Sequence, residues 1–309
     1  MTRPSLSVDV GLPSADDAEE IAVVLNAFEQ TYHGEDAVAA EEVRRWFGLP
    51  GLEFWVAKEP GGEIVAYADL HEEDDGRRYW LDLREHPARR GLGGARVLLG
   101  AAEEWARARA MPGTLLRGFA GSNDEPLRCL YEESGYQLVR HNLDMRIVLD
   151  DELPEPRWPA GIAVRTCASP ADERRVYEAD TEAFQDHWEF VRRPFEEWRA
   201  WLIEDPRFDP SLWFLAEDGA DLAGICLGTV HASGDPSFGH VAVLAARRPW
   251  RRRGLGLALL RHAFREFRRR GMTRASLHVD AENLTGAVRL YERAGMHVFE
   301  RRATYEKAL

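Results

Sequence analysis

The chain has 309 residues, a net charge of −13 and an apolar fraction of 45%, with 10 Trp and 13 Phe. That is room for two ordinary domains with real cores, and the excess of acid opposes general nucleic-acid binding while favouring cationic substrates. No run of about 18 uncharged apolar residues exists to span a membrane, and the first residues lack the basic start and apolar centre of a signal peptide. Cys129, Cys167 and Cys226 are odd in number and widely spaced, which predicts a reduced, cytoplasmic protein without disulfides or a metal cluster.

In chain order, residues 6–10 read as a short strand, followed by helices near 15–28 and 40–47. Residues 54–57, 64–70 and 79–83 read as strands, with the acidic run His71 to Gly76 as a solvated hairpin turn. A glycine turn, Ala88-Arg89-Arg90-Gly91-Leu92-Gly93, opens the next helix. A strand over 115–119, a helix ending at Gly135 and a further strand complete the half. Residues 151–159 are acidic and proline-rich and read as a linker.

The order then repeats. Residues 162–165 form a strand, and Ser169-Pro170 opens a helix through Phe184 with proline at its first position. A second helix covers 194–203. Strands at 213–216 and 222–230 flank a Gly-Ala-Asp turn, and a third runs over 240–246. The turn Arg251-Arg252-Arg253-Gly254-Leu255-Gly256 opens a helix with Leu260, Ala263, Phe264 and Phe267 on one face. Residues 275–279 form a strand, 283–293 a helix stopped at Gly295, and 297–306 the closing strand. Each half is βααβββαβαβ. The fold class is therefore α/β (α+β): two tandem domains, 1–150 and 160–309, each a mixed, mostly antiparallel sheet flanked by about four helices.

Both halves also share a motif. A basic glycine turn that opens a helix can hold phosphate, and a tyrosine late on a following helix can supply a proton. Asn123, Leu130-Tyr131 and Gly135 recur as Asn283, Leu290-Tyr291 and Gly295. The repetition marks a tandem duplication.

R-x-x-G-x-G after a strand, followed by N…LY…G, resembles the GCN5-related N-acetyltransferase (GNAT) superfamily over almost the whole chain. Its tandem form, with the better motif second, is similar to mycothiol synthases and related actinobacterial acetyltransferases. The resemblance implies an acetyl-CoA-dependent N-acetyltransferase acting on a small-molecule primary amine by direct transfer in a ternary complex. Arg251, Arg252, Arg253, Gly254, Leu255 and Gly256, with Asn283, would hold the cosubstrate. Its pantetheine arm would lie along Leu244-Ala245-Ala246, with the thioester where the fourth and fifth strands splay. No metal is implied.

Tyr291 is the expected general acid, since a phenol can serve a departing thiolate. The family places a glutamate base at the position of His240, or two residues on at Ala242. His240 is thus the candidate base, expected on one strand face with Ala242 and Leu244, and water relay is the alternative. Asp186, His187, Trp188 and Glu189, between the first two helices of the second half, are the expected substrate residues. In the first half Ala88 stands where the motif has Arg, and Glu85 and His86 replace neutral positions. That domain is expected to be degenerate and catalytically silent. Mycothiol synthase activity and a CoA-binding pseudoenzyme or sensor are the alternative functions. A monomer or homodimer without nucleic-acid or membrane partners is expected.

Overall fold

The computed structural model describes residues 8–309 apart from 186, 189, 284 and 285. Residues up to 141, with 232–234 and 302–309, form one compact unit; residues 142–231 and 235–301 form a second.

The first unit contains β1 (Asp9–Gly11), α1 (Ala18–His33), α2 (Ala40–Trp46), β2 (Leu52–Lys58), β3 (Ile64–Glu73), β4 (Arg78–Glu85), α3 (Gly94–Arg107), β5 (Leu115–Gly121) and α4 (Glu125–Glu133). β6 (Gln137–Val148) carries the chain onward. The second unit contains β7 (Ile162–Thr166), α5 (Pro170–Phe184), α6 (Phe195–Leu202), β8 (Trp213–Asp218), β9 (Asp221–Val230), β10 (Phe238–Ala246), α7 (Leu255–Arg269), β11 (Arg274–Asp280) and α8 (Ala287–Arg293); β12 (His297–Ala308) follows. The repeated element order is as the sequence predicts.

Within the first unit the strands run β1-β2-β3-β4-β5-β12, and only β4 and β5 are parallel. Within the second they run β7-β8-β9-β10-β11-β6, and only β10 and β11 are parallel. The closing strands are exchanged relative to the expected division at 150 and 160. Asn142–Val148 pair with β11, and Arg302–Ala308 pair with β5. Each strand before the last helix leaves a free antiparallel edge, and a strand from either half can satisfy its hydrogen bonds.

Both sheets are covered on two faces. In the second unit α7 and α8 pack on one face over Leu143, Met145, Cys226, Val241 and Leu277, while α5 and α6 cover Leu215, Ile225, Val243 and Ala245 on the other. α7 is held by its apolar stripe: Leu255, Leu259, Ala263 and Phe267 are buried, while Arg265 and Arg268 reach outward. The segment 151–159 is laid along that outer surface. Arg265 donates to the Leu153 carbonyl at 2.9 Å, Arg268 pairs with Asp151 at 2.8 Å, and Trp158 meets His262 edge-on at 5.6 Å. Among the described residues no helix is long and apolar enough to cross a membrane.

Candidate active site

α7 begins at Leu255, and its N-cap is Gly254 at φ 85°. That left-handed conformation favours glycine, and it aims the first-turn N–H groups outward. Gly254 has no side chain to cap them, and among the described residues no side chain accepts from them. Four such donors and the positive end of a helix dipole suit an anion. Arg251 has a different part from Arg252 and Arg253. Its Nε donates to the Ala246 carbonyl at 3.0 Å and an Nη to the Ala183 carbonyl at 3.1 Å, so its side chain ties the turn to the ends of β10 and α5. The adjacent Arg247 pairs with Glu182 of α5.

β10 runs into this turn. Its parallel pairing with β11 covers only Phe238–His240, ending at His240 opposite Ser276. Beyond that point 241–246 pair only with β9, so Leu244, Ala245 and Ala246 line an open strand edge. Alternate backbone groups there point away from β9 into the gap. The splay expected between the fourth and fifth strands is therefore present.

The β9–β10 register shifts between Val241 and Val243, a bulge at Ala242. It flips the alternation of faces. Val241, Leu244 and Ala246 pack toward the α7 core, whereas Val243 and Ala245 pack toward α5 and α6. His240 accordingly does not share a face with Leu244, contrary to the unbroken period of two.

His240 Nδ1 lies 2.9 Å from Ser276 Oγ. Its ring centroid is 5.2 Å from that of His278 and 6.0 Å from that of His231. Burial, helped by His278, Arg207 and Arg146, drives the His240 pKa well below the usual imidazole value. Burial likewise drives His231 down to about 2. Both rings are thus neutral at physiological pH. His231 and His278 escaped the sequence reading, because nothing in strand periodicity distinguishes a clustered imidazole from an isolated one.

Tyr291 lies on α8 in the core that also holds Cys226, Leu255 and Leu277. Burial, reinforced by Cys226, pushes its hydroxyl up to about 12. Cys226 itself sits opposite Leu244 in the β9–β10 ladder, so the tyrosine belongs to the α7 side of the open strand edge. Asn283 lies in the turn after β11, its N–H bonded to the Asp280 carbonyl at 3.1 Å. α8 starts only at Ala287, four residues later than expected.

His187 and Trp188 lie between α5 and α6, half-buried, with the His187 ring 4.3 Å from that of Phe184. Asp186 and Glu189 lie outside the described residues. One further carboxylate of this wall escaped the sequence reading: Asp180 on α5 accepts from Trp198 Nε1 at 2.8 Å, and burial raises its pKa to about 6.

The first unit carries the same parts differently. Its helix α3 is capped by Gly93 at φ 79°, so Gly93 is the counterpart of Gly254. The matching motif is then Arg90-Gly91-Leu92-Gly93-Gly94-Ala95, and the counterpart of Arg251 is Arg90, not Ala88. The defect lies elsewhere. Glu85 accepts the Ala95 N–H at 3.1 Å, placing a carboxylate on the helix end that α7 leaves open. Arg90 is paired with Asp124 at 2.9 Å. Tyr131 is fully buried, and among the described residues its hydroxyl has no hydrogen-bond partner. A Cβ at Gly118 would meet that hydroxyl at 2.3 Å, so the ring lies flat on β5. Where the second unit has His240 paired with Ser276, this one has Trp80 paired with Arg117. Trp80 stacks on Phe119 at 5.2 Å.

An open helix end, a splayed strand edge and a tyrosine on the next helix thus lie together in one α/β domain. Residues 21–136 and 174–296 match the acetyltransferase (GNAT) family. The chain belongs to that family and is an acyltransferase. It is 34% identical over 244 residues to a mycothiol acetyltransferase of Streptomyces coelicolor, covering 78% of this chain and 75% of that one. A mycothiol acetyltransferase of Thermomonospora curvata is 36% identical over 235 residues, covering 76% and 75%. A GCN5-related N-acetyltransferase from Sphaerobacter thermophilus superposes with a TM-score of 0.81 at 36% identity, covering 99% and 97%. A tandem GNAT protein from the clavulanic acid biosynthesis pathway shares the fold with a TM-score of 0.78 at 18% identity, covering 97% and 98%.

Proposed function

We propose that the second unit transfers an acetyl group from acetyl-CoA to the primary amine of a small molecule, directly and without an acyl-enzyme. The carrying observation is the combination of an uncapped α7 N-terminus and an unpaired β10 edge that leads away from it. The Gly254–Gly256 N–H groups, with Arg252 and Arg253, would take the pyrophosphate. The edge Leu244–Ala246 would pair with the amide-bearing pantetheine arm, which delivers the thioester to the splay at His240. When bound, acetyl-CoA supplies an activated acyl carbon.

The chain's own residues then do three things. Backbone N–H groups of the open β10 edge stabilise negative charge on the carbonyl oxygen. Tyr291, protonated at neutral pH because its pKa stands near 12, donates a hydrogen bond to the departing sulfur. His240, held neutral and oriented by Ser276, receives the ammonium proton in transit to solvent. Its depressed basicity suits a relay better than a proton store. The first unit is silent on this account, because Glu85 occupies its helix end and Trp80 stands in place of the histidine.

Acetylation of a cysteinyl-glucosaminyl-inositol is the second reading, favoured by relatives named mycothiol acetyltransferase at 34% and 36% identity across three quarters of the chain. A thiol-release screen of amines with acetyl-CoA, that acceptor included, tests both. Turnover of no amine overturns the acetyltransfer proposal, and turnover of other amines alone overturns the second reading.

A further inference from the structure

Four arginines line one cavity of the second unit, and none of them is paired with a carboxylate among the described residues. The cavity holds about 640 Å³ and is lined by Arg253 and Gly254, by Arg261 of α7 and Arg293 of α8, and by Pro154 and Arg157 of the segment 151–159. Among the described residues, Arg157, Arg253, Arg261 and Arg293 form no ion pair, although the chain carries a net charge of −13. The buried Nε of Arg261 has no hydrogen-bond partner among them. The one acid on the cavity wall, Glu155, is held by Arg265 at 2.6 Å. Unpaired guanidiniums gathered in one concavity repel one another and suit a multiply charged, oxygen-rich anion.

The cavity starts at the cap of α7 and follows that helix to Arg261, seven residues and about 10 Å along its axis. Its far wall is the segment 151–159, which Arg265, Arg268 and Trp158 fix in place. We infer that this segment is part of the cosubstrate site, and that Arg157, with Arg261 and Arg293, grips the phosphomonoester on the ribose end of acetyl-CoA. The inference rests on acetyl-CoA being held at the Gly254 turn. It goes further by making the segment between the two repeats a determinant of which donor is used: the 3′-phosphorylated form over its dephospho analogue.

Calorimetry on the full chain with acetyl-CoA, acetyl-dephospho-CoA and adenosine 3′,5′-bisphosphate tests it. Wild type should bind acetyl-CoA about tenfold or more tighter than the dephospho form, the worth of a charge-assisted hydrogen bond, and the bisphosphate should compete with acetyl-CoA. Arg157 is exposed, so Arg157→Ala leaves the fold intact. It should remove most of the preference by weakening acetyl-CoA alone, and Arg157→Lys should restore part of it. Equal affinities of wild type for the two donors, or a preference unchanged in Arg157→Ala, would overturn the inference while leaving the Gly254 turn assignment standing. Binding of neither donor would overturn both.

Discussion

Placing a carboxylate on the α7 cap would recreate in the second unit what Glu85 does in the first. At Gly254 an added Cβ meets nothing within 4 Å, so Gly254→Asp introduces no clash. Its cost to the fold is the left-handed backbone, φ 85°, about 1 kcal/mol for an L-residue and less for Asp. A negative charge at a helix N-terminus returns about 0.3–1 kcal/mol. Stability should therefore change by less than about 1 kcal/mol. Binding should not survive: two charge-assisted hydrogen bonds to phosphate, worth about 1.5–3 kcal/mol each, give way to like-charge repulsion, a loss of about 10²–10⁴-fold in affinity. Gly254→Ala carries the backbone strain without the charge and should retain affinity within about tenfold. The assay is acetyl-CoA calorimetry beside thermal unfolding. A folded Gly254→Asp protein with wild-type affinity would refute the anion assignment, and equal losses in Asp and Ala would show that turn shape, not charge, is what matters.

Three further outcomes are expected. Tyr291→Phe should lower kcat by about 10²-fold or more with little change in acetyl-CoA affinity. Tyr131→Phe should leave kcat unchanged and stability equal or higher, since it deletes a buried hydroxyl without a partner; equal kinetic losses would show that both halves catalyse. If His240 relays the proton, its depressed pKa places the acid limb of kcat/KM well below pH 6.5, and His240→Ala abolishes it; a limb that persists in the variant and follows the amine's own pKa would hand the proton to water. His231, near 2 when folded, protonates first in the unfolded chain, so its contribution is complete above about pH 6.5 and is lost as pH falls, by roughly 1 kcal/mol at pH 5.5. Chemical denaturation of His231→Gln should show a shallower acid loss than wild type, and identical slopes between pH 7 and 5.5 would count against the neutral buried ring.

The repeat, the element order and the turn at Gly254 were legible because each rests on local rules: apolar period, turn residues and helix caps. The errors came where a single residue changes the rule. An extra residue at Ala242 puts Leu244 on the α7 side, and no alternation pattern records a bulge. In the first half two glycines, Gly91 and Gly93, both suit a cap; the helix starts after Gly93, two residues later than the motif spacing from Ala88 predicts. Glu85 stands out in sequence only by its charge, and only the fold shows that it sits on the helix end itself. The three-imidazole cluster required knowing that β9, β10 and β11 are neighbours. The acidic, proline-rich composition of 151–159 reads as a linker, yet in the structure the segment lies within the second unit, and the arginines of α7 that hold it lie more than 100 residues further on.

The exchange of closing strands sets an order on the birth of the molecule. β5 receives its antiparallel partner from residues 302–308, so about 180 residues must be synthesised after Gly121 before that edge is covered. At about 5–20 residues per second this takes roughly 10–40 s. During that interval a nascent first unit presents a row of unpaired backbone groups, the kind of edge that recruits foreign strands. The arginine at its middle, Arg117, waits as long for its partner Glu306; until then a charged side chain on the exposed edge discourages mispairing, and afterwards the same residue is sealed inside.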